Sequence, residues 1–199
     1  YRPTFLPAGP TTLQKLLSDP ATAAHDLSSI TRILVGAAPV PGPLLERIRG
    51  VMDRDVVVMQ GYGLTEATAI VTILHVETDA EGRLLNPRSV GRTLPGIEMM
   101  IADEDMRPSG PGLVGEICIR GPNVMQGYYK QPVETANAIV DGWLRTGDLG
   151  TVDGHYGVVD RKKDVIIRGG QNIYPSRHRG GALWAPSRRR GSRRGRAGR

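Results

Sequence analysis

Apolar and polar positions repeat with one period in the first part of this chain and with another in the middle, and that change divides it. After Thr11 and Thr12, the residues Leu13, Leu16 and Leu17 recur at helical spacing, which predicts a short helix capped by threonine. Residues 30–35 form a mainly apolar run that stops at Gly36 and reads as a strand. Pro43 then opens a second helix with Leu44, Leu45 and Ile48 on one face, closed by Gly50. Val56, Val57, Val58 and Met59 make the next strand, and a helix is expected over 65–74. Strand, loop and helix in alternation imply an α/β unit with parallel pairing, assigned to residues 1–84. Such sheets bind ligands at the C-terminal ends of their strands.

From 85 to 160 the chain turns to glycines and short strands, expected at 98–101, 113–120, 150–152 and 155–159. Asp153-Gly154, between the last two, is a type I′ hairpin signal. Only 134–140, after Pro132, has helical character. A small, mostly antiparallel β-subdomain follows. Residues 161–176 begin a further unit, with a strand over 164–168 broken by Gly169-Gly170. Beyond Ser176 no apolar period remains, and residues 177–199 are expected to be disordered.

The net charge of +6 is unevenly placed. Nine of the 26 basic residues lie in 177–199, which contain no acid; the other 17 face 20 acids, so residues 1–176 carry a net −3. The abrupt enrichment in Arg, Gly, Ala and Pro is what a shifted reading frame in GC-rich DNA produces. The tail reads as such a product or as an arm that neutralises nucleic-acid phosphates. No nucleic-acid-binding module precedes it, and Trp184 is its single aromatic, so no specific nucleic-acid partner is expected. One cysteine, Cys118, excludes an internal disulfide, and no Cys/His cluster has zinc spacing. No run approaches the roughly 18 apolar residues of a membrane span, and no targeting pattern opens the chain. A cytoplasmic protein without a transmembrane segment is expected. The first residue is not Met, so the start reads as a fragment boundary.

The most informative stretch is Gln60-Gly61-Tyr62-Gly63-Leu64-Thr65-Glu66, directly after the second strand. It offers a ring to stack on a base, a hydroxyl for a phosphate oxygen and a carboxylate for Mg²⁺. Alone, Thr65-Glu66 is equally an ordinary helix N-cap with a first-turn acid. Three more segments follow it or precede it in fixed order: Val35-Gly36-Ala37-Ala38-Pro39, Trp143-Leu144-Arg145-Thr146-Gly147-Asp148 and Asp160-Arg161-Lys162-Lys163-Asp164. Together these resemble the adenylate-forming acyl-CoA synthetase and ligase family, over residues 1 to about 176.

That resemblance implies a fold: the C-terminal portion of the large adenylate-forming domain, a parallel-sheet α/β segment plus a small β-subdomain, truncated before the mobile domain. It also implies a chemistry, in which ATP activates a carboxylic acid, expected to be fatty, as acyl-AMP, and CoA takes the acyl group. Gln60, Gly61, Tyr62 and Gly63 would form the nucleotide loop, with Tyr62 on adenine. Thr65 would meet the α-phosphate and Glu66 would hold Mg²⁺. Gly36, Ala37, Ala38 and Pro39 would be the small-residue turn between acyl pocket and adenine site. Asp148 and Arg161 would bind the ribose, Lys163 would be the hinge of the mobile domain, and Gly169 and Gly170 would approach CoA. Each has a plainer alternative: a tight turn, a surface ion pair, a solvated lysine, a β-bulge. The family's Lys-ended phosphate loop and its C-terminal adenylation lysine have no match here, so the chain alone is expected to be inactive. Two other readings stay open: a non-functional truncated product, and a nucleic-acid-binding protein acting through the tail.

Overall fold

The computed structural model describes residues 1–36, 42–52, 56–80, 85–86, 89–168 and 171–173. Three strands, β1 (Phe5–Ala8), β2 (Arg32–Val35) and β3 (Val57–Tyr62), pair in parallel, with Phe5 opposite Arg32 and Arg32 opposite Val57. Helices α1 (Pro10–Ser18) and α2 (Gly42–Val51) supply the connections. Leu13 and Leu17 of α1 and Leu44, Leu45 and Ile48 of α2 close on Ile33, Val35 and Val58 as one apolar cluster. Each such side chain contributes about 1.5–3 kcal/mol on full burial, which is why the leucine spacing was a reliable guide. The helix ends differ from expectation. Pro10 occupies the first turn of α1, where a missing N–H costs nothing, and the Gly9 carbonyl accepts from Leu13 N, so Thr11 and Thr12 lie inside the helix. The second helix starts at Gly42 and runs through Gly50 to Val51.

The helix expected over 65–74 does not form. A single 3₁₀ turn, Thr65–Ala67, is followed by Thr68 and Ala69 with φ of 51° and 74°, and then by strand β4 (Thr72–His75). The β-branched residues Ile70, Val71, Thr72 and Ile73 favour a pleated, half-buried surface over a helix. β4 pairs antiparallel to β3, with Tyr62 opposite Thr72, so the wholly parallel expectation for this part fails at its third pairing.

β4 also pairs with β5 (Ser89–Thr93), and from there the sheet continues without a break. The remaining strands are β6 (Glu98–Ala102), β7 (Gly115–Arg120), β8 (Ile139–Val140), β9 (Trp143–Asp153) and β10 (His155–Arg161), with helix α3 (Pro132–Ala138) before β8. The ten-stranded order is β1-β2-β3-β4-β5-β10-β9-β7-β6, with β8 on β9. A second apolar cluster forms around Met99, Ile101, Ile117, Ile119 and Leu144, and Tyr62 at the end of β3 and Leu64, Ala67 and Val71 of the following loop reach into it. That loop is thus packed between the α/β part and the antiparallel part.

The β9–β10 hairpin is not type I′, which needs positive φ at both central residues. Only Gly154 has it, at 72°, and Asp153 pairs with His155 around it. After β10 come a 3₁₀ turn at Lys162–Asp164 and an antiparallel pair, β11 (Ile166–Arg168) with β12 (Gln171–Ile173). Ala37, Ala38, Pro39, Gly169, Gly170 and the tail 177–199 lie outside the described residues. Among the described residues no helix is long and apolar enough to cross a membrane.

Candidate active site

The centre of the site is a bulge in β9. Glu116 pairs with Leu149 and Cys118 with Arg145, so residues 146–148 of β9 together face Ile117 alone. Gly147 makes this possible with a φ of 72°. Bulges re-aim side chains, and this one turns Asp148 toward the loop after β3. Tyr62 Oη donates to Asp148 Oδ2 at 2.9 Å. On the neighbouring strand Arg161 is the cross-strand partner of Asp148, with Nε 3.7 Å from Oδ1. Burial raises the Asp148 carboxyl above its ordinary value, and the Glu66 charge adds to this, against the Tyr62 hydrogen bond and the Arg161 charge. Burial and the Asp148 charge push the Tyr62 hydroxyl far upward, so it stays a donor.

Glu66, with its turn, is held by the segment 123–125. Its carbonyl accepts from Met125 N at 2.8 Å, Thr68 Oγ1 donates to Asn123 O, and Asn123 Nδ2 donates to Ala67 O. Its carboxylate Oε1 accepts from Tyr128 Oη at 3.0 Å. Glu66, Leu64, Thr146, Asp148, Arg161 and Lys163 all line one cleft of about 540 Å³, inside the range of about 300–1,000 Å³ usual for small-molecule sites.

The other expected residues are placed differently. Gln60 is buried, and its Nε2 donates to Ser89 O at 3.0 Å, away from the cleft. The Tyr62 ring packs against the second apolar cluster while its hydroxyl reaches Asp148. Gly63, expected in the nucleotide loop, has a backbone role: a Cβ there would lie 1.6 Å from the Ala69 carbonyl oxygen, so its bare backbone admits its own loop. At Gly61 a Cβ would sit 3.4 Å from Leu34 Cδ1 and from Thr72 O, and at Gly36 it would sit 3.0 Å from Gly61 O. Both glycines therefore lie where β2, β3 and β4 pass closely. Thr65 is exposed at the start of the 3₁₀ turn and does not line the cleft.

The donor set suits magnesium with a nucleotide. Among the described residues no group of three or more His, Cys, Asp and Glu could hold a metal ion. Mg²⁺ is usually bound by one or two carboxylates together with substrate phosphates and water, and the Glu66 carboxylate at the cleft wall offers one.

Glu116 was not singled out from the sequence. It accepts from Arg145 Nη2 at 2.8 Å, Lys162 Nζ at 3.0 Å and Gly147 N at 3.2 Å, with its side chain only 8% exposed. Burial alone would raise its pKa, but the bonds and charges from Arg145 and Lys162 outweigh this and hold it below the usual range. The available signal was an acid inside the apolar strand Ile117-Cys118-Ile119, which demands a buried partner. Tyr128 was missed too, because its tie to Glu66 spans 62 residues.

Residues 1–129 match the family model described as AMP-binding enzyme. The chain is 43% identical over 179 residues to a methyl-dioxo-octahydroindenyl-propanoyl:CoA ligase of Mycobacterium tuberculosis, covering 88% of this chain and 32% of that protein. It is 38% identical over 178 residues to a long-chain-fatty-acid–CoA ligase of Bacillus subtilis, covering 88% and 30%. Among solved structures, the o-succinylbenzoate coenzyme A synthetase of Bacillus subtilis in complex with ATP and magnesium ion superposes with a TM-score of 0.72 at 36% identity, covering 87% of this chain and 34% of that one. The chain thus spans about a third of the length of the proteins it matches. With a family model matching well over half of its residues, and with Leu64, Glu66 and the Asp148 bulge on one cleft, the chain belongs to the AMP-binding enzyme family.

Proposed function

We propose that this chain supplies part of the nucleotide site of an AMP-forming acid–thiol ligase, which activates a carboxylic acid as acyl-AMP and passes it to CoA. The observation that carries this reading is the convergence of Glu66, Asp148, Arg161 and Lys163 on one cleft from segments up to 97 residues apart. Asp148, oriented by Tyr62, is a carboxylate that accepts from ribose hydroxyls, with the Arg161 guanidinium beside it. In adenylation the substrate carboxylate attacks the α-phosphorus, an acyl–oxygen–phosphorus bond forms and pyrophosphate leaves; the CoA thiol then displaces AMP from the acyl carbon. Both reactants are anions, so the chain's part is to bind, orient and offset charge. Mg²⁺, held by Glu66 with the phosphates, would neutralise the developing charge. Thr65, exposed and next to Glu66 in the chain, would reach the α-phosphate, and Lys163 would be the hinge between residues 1–160 and the unit beginning at 161.

An aliphatic acid, fatty or related, is the proposed substrate, in keeping with relatives that take a long-chain fatty acid and a propanoyl side chain. A reducing, cytoplasmic setting is in keeping with a single, buried Cys118. The 199 residues alone are proposed to bind AMP without forming acyl-AMP, because none of them matches the family's phosphate loop. Calorimetric titration with AMP tests this: the wild-type chain should bind, and Asp148→Asn should weaken binding at least tenfold. Equal affinities for the two, or pyrophosphate exchange by the chain alone with fatty acids, would refute the respective part.

A further inference from the structure

We propose that Glu116 is a positioning residue that clamps the Asp148 bulge and the 161–163 linker to one another, and so sets the ribose contact without touching ligand. Its four bonds divide between two segments. On one side the Arg145 guanidinium binds Oε2 through Nη2 at 2.8 Å and Nε at 3.3 Å, and Gly147 N donates to Oε1 at 3.2 Å. On the other, Lys162 Nζ donates to the same Oε2 at 3.0 Å. Three of the four donors meet on Oε2 and one on Oε1, so the two segments share a single carboxylate oxygen.

The first set fixes the bulge. Gly147 lies between Thr146, whose Oγ1 donates to Ile117 O and accepts from Asp148 N, and Asp148 itself. With Gly147 held to Glu116 and Thr146 to the adjacent residue of β7, the bulge cannot slide along β7, and Asp148 keeps its aim at Tyr62. The second bond fixes Lys162, which lines the cleft between its chain neighbours Arg161, the cross-strand partner of Asp148, and Lys163. The two halves differ in exposure: Arg145 is 33% exposed in its side chain and Lys162 51%. The Lys162 ammonium is thus the solvated end of the clamp and the Arg145 guanidinium, on β9, the end anchored in the sheet.

The ligand side of this proposal rests on the nucleotide reading of the cleft; the clamp rests on the hydrogen bonds alone, and the test separates them. Glu116→Met keeps the length and removes every acceptor. Binding of AMP and of 2′,3′-dideoxy-AMP to the 199-residue chain is measured by calorimetry, and amide exchange by mass spectrometry. In the wild type AMP should bind about tenfold more tightly than the dideoxy compound, because only AMP offers hydroxyls to Asp148. In Glu116→Met that preference should fall to about twofold with the dideoxy affinity unchanged, while amides 146–148 and 163–165 exchange at least tenfold faster. A variant that keeps the full preference, or that loses affinity for both compounds alike, overturns the proposal. If the wild type has no preference, the ribose reading of Asp148 fails instead, and the clamp then stands or falls on the exchange at 146–148. Should Glu116→Met not fold, the exposed Lys162→Met decides: exchange at 163–165 must quicken while 146–148 stays protected, and unchanged exchange at 163–165 overturns the clamp.

Discussion

Replacing Tyr62 by Phe removes one hydroxyl and nothing else from the site. The ring keeps its place against Ala67, Val71 and the second apolar cluster, so no cavity forms. What is lost is the 2.9 Å donor to Asp148 Oδ2, on a carboxylate only 18% exposed. A hydrogen bond to a charged group contributes about 1.5–3 kcal/mol; with some water access and Arg161 still near, the lower end, about 1.5 kcal/mol, is expected at pH 7. The pH dependence has a definite sign. The folded Asp148 carboxyl titrates above its ordinary 3.8, so its contribution favours the folded state fully below 3.8 and fades as pH rises through the folded value. Losing the Tyr62 donor lifts the folded value further. The penalty of Tyr62→Phe is therefore full at neutral pH and shrinks on acidification, as the carboxyl protonates. Urea denaturation of both proteins from pH 7.5 to 4.5, with a carboxyl-carbon NMR titration of Asp148, measures both effects. A penalty that stays constant with pH, or an Asp148 titration that moves downward in the variant, would refute the reasoning.

Gly63→Ala should destabilise the protein by about 3 kcal/mol or more, beyond the usual range for overpacking. The added methyl meets backbone at Ala69 and Ile70, which cannot rotate away, and a thermal-melt comparison checks this. Cys118 is fully buried, and burial together with the Glu116 charge pushes its thiol up to about 11. It should resist iodoacetamide at pH 8 in the native protein and react only after unfolding, as peptide mass mapping would show. Leu45→Ala, at a side chain 1% exposed in the first cluster, should cost about 2–5 kcal/mol in denaturant titration.

Local periodicity was enough to mark α1, α2, β2, β3 and most strands of the antiparallel part, because each carries its own apolar face. The four ordered motifs, through the family resemblance they carry, nominated Glu66, Asp148, Arg161 and Lys163, which the fold brings to one cleft. What escaped depends on partners distant in the chain. A helix was expected over 65–74 from the strand–loop–helix order, but Met125, Asn123 and the second apolar cluster hold that loop, and β3 and β5 recruit 72–75 as a strand. That Gly63 must be bare because the Ala69 carbonyl packs against it was not legible before the fold. Glu116 went unremarked because its donors, Gly147 and Lys162, reach it from 31 and 46 residues away. Sequence alone determined which segments are amphipathic and which motif residues carry charge, since those are properties of neighbours along the chain. Which polar groups face one another was decided only by the tertiary structure, because a buried carboxylate takes its donors from whatever strand the packing of the core sets beside it.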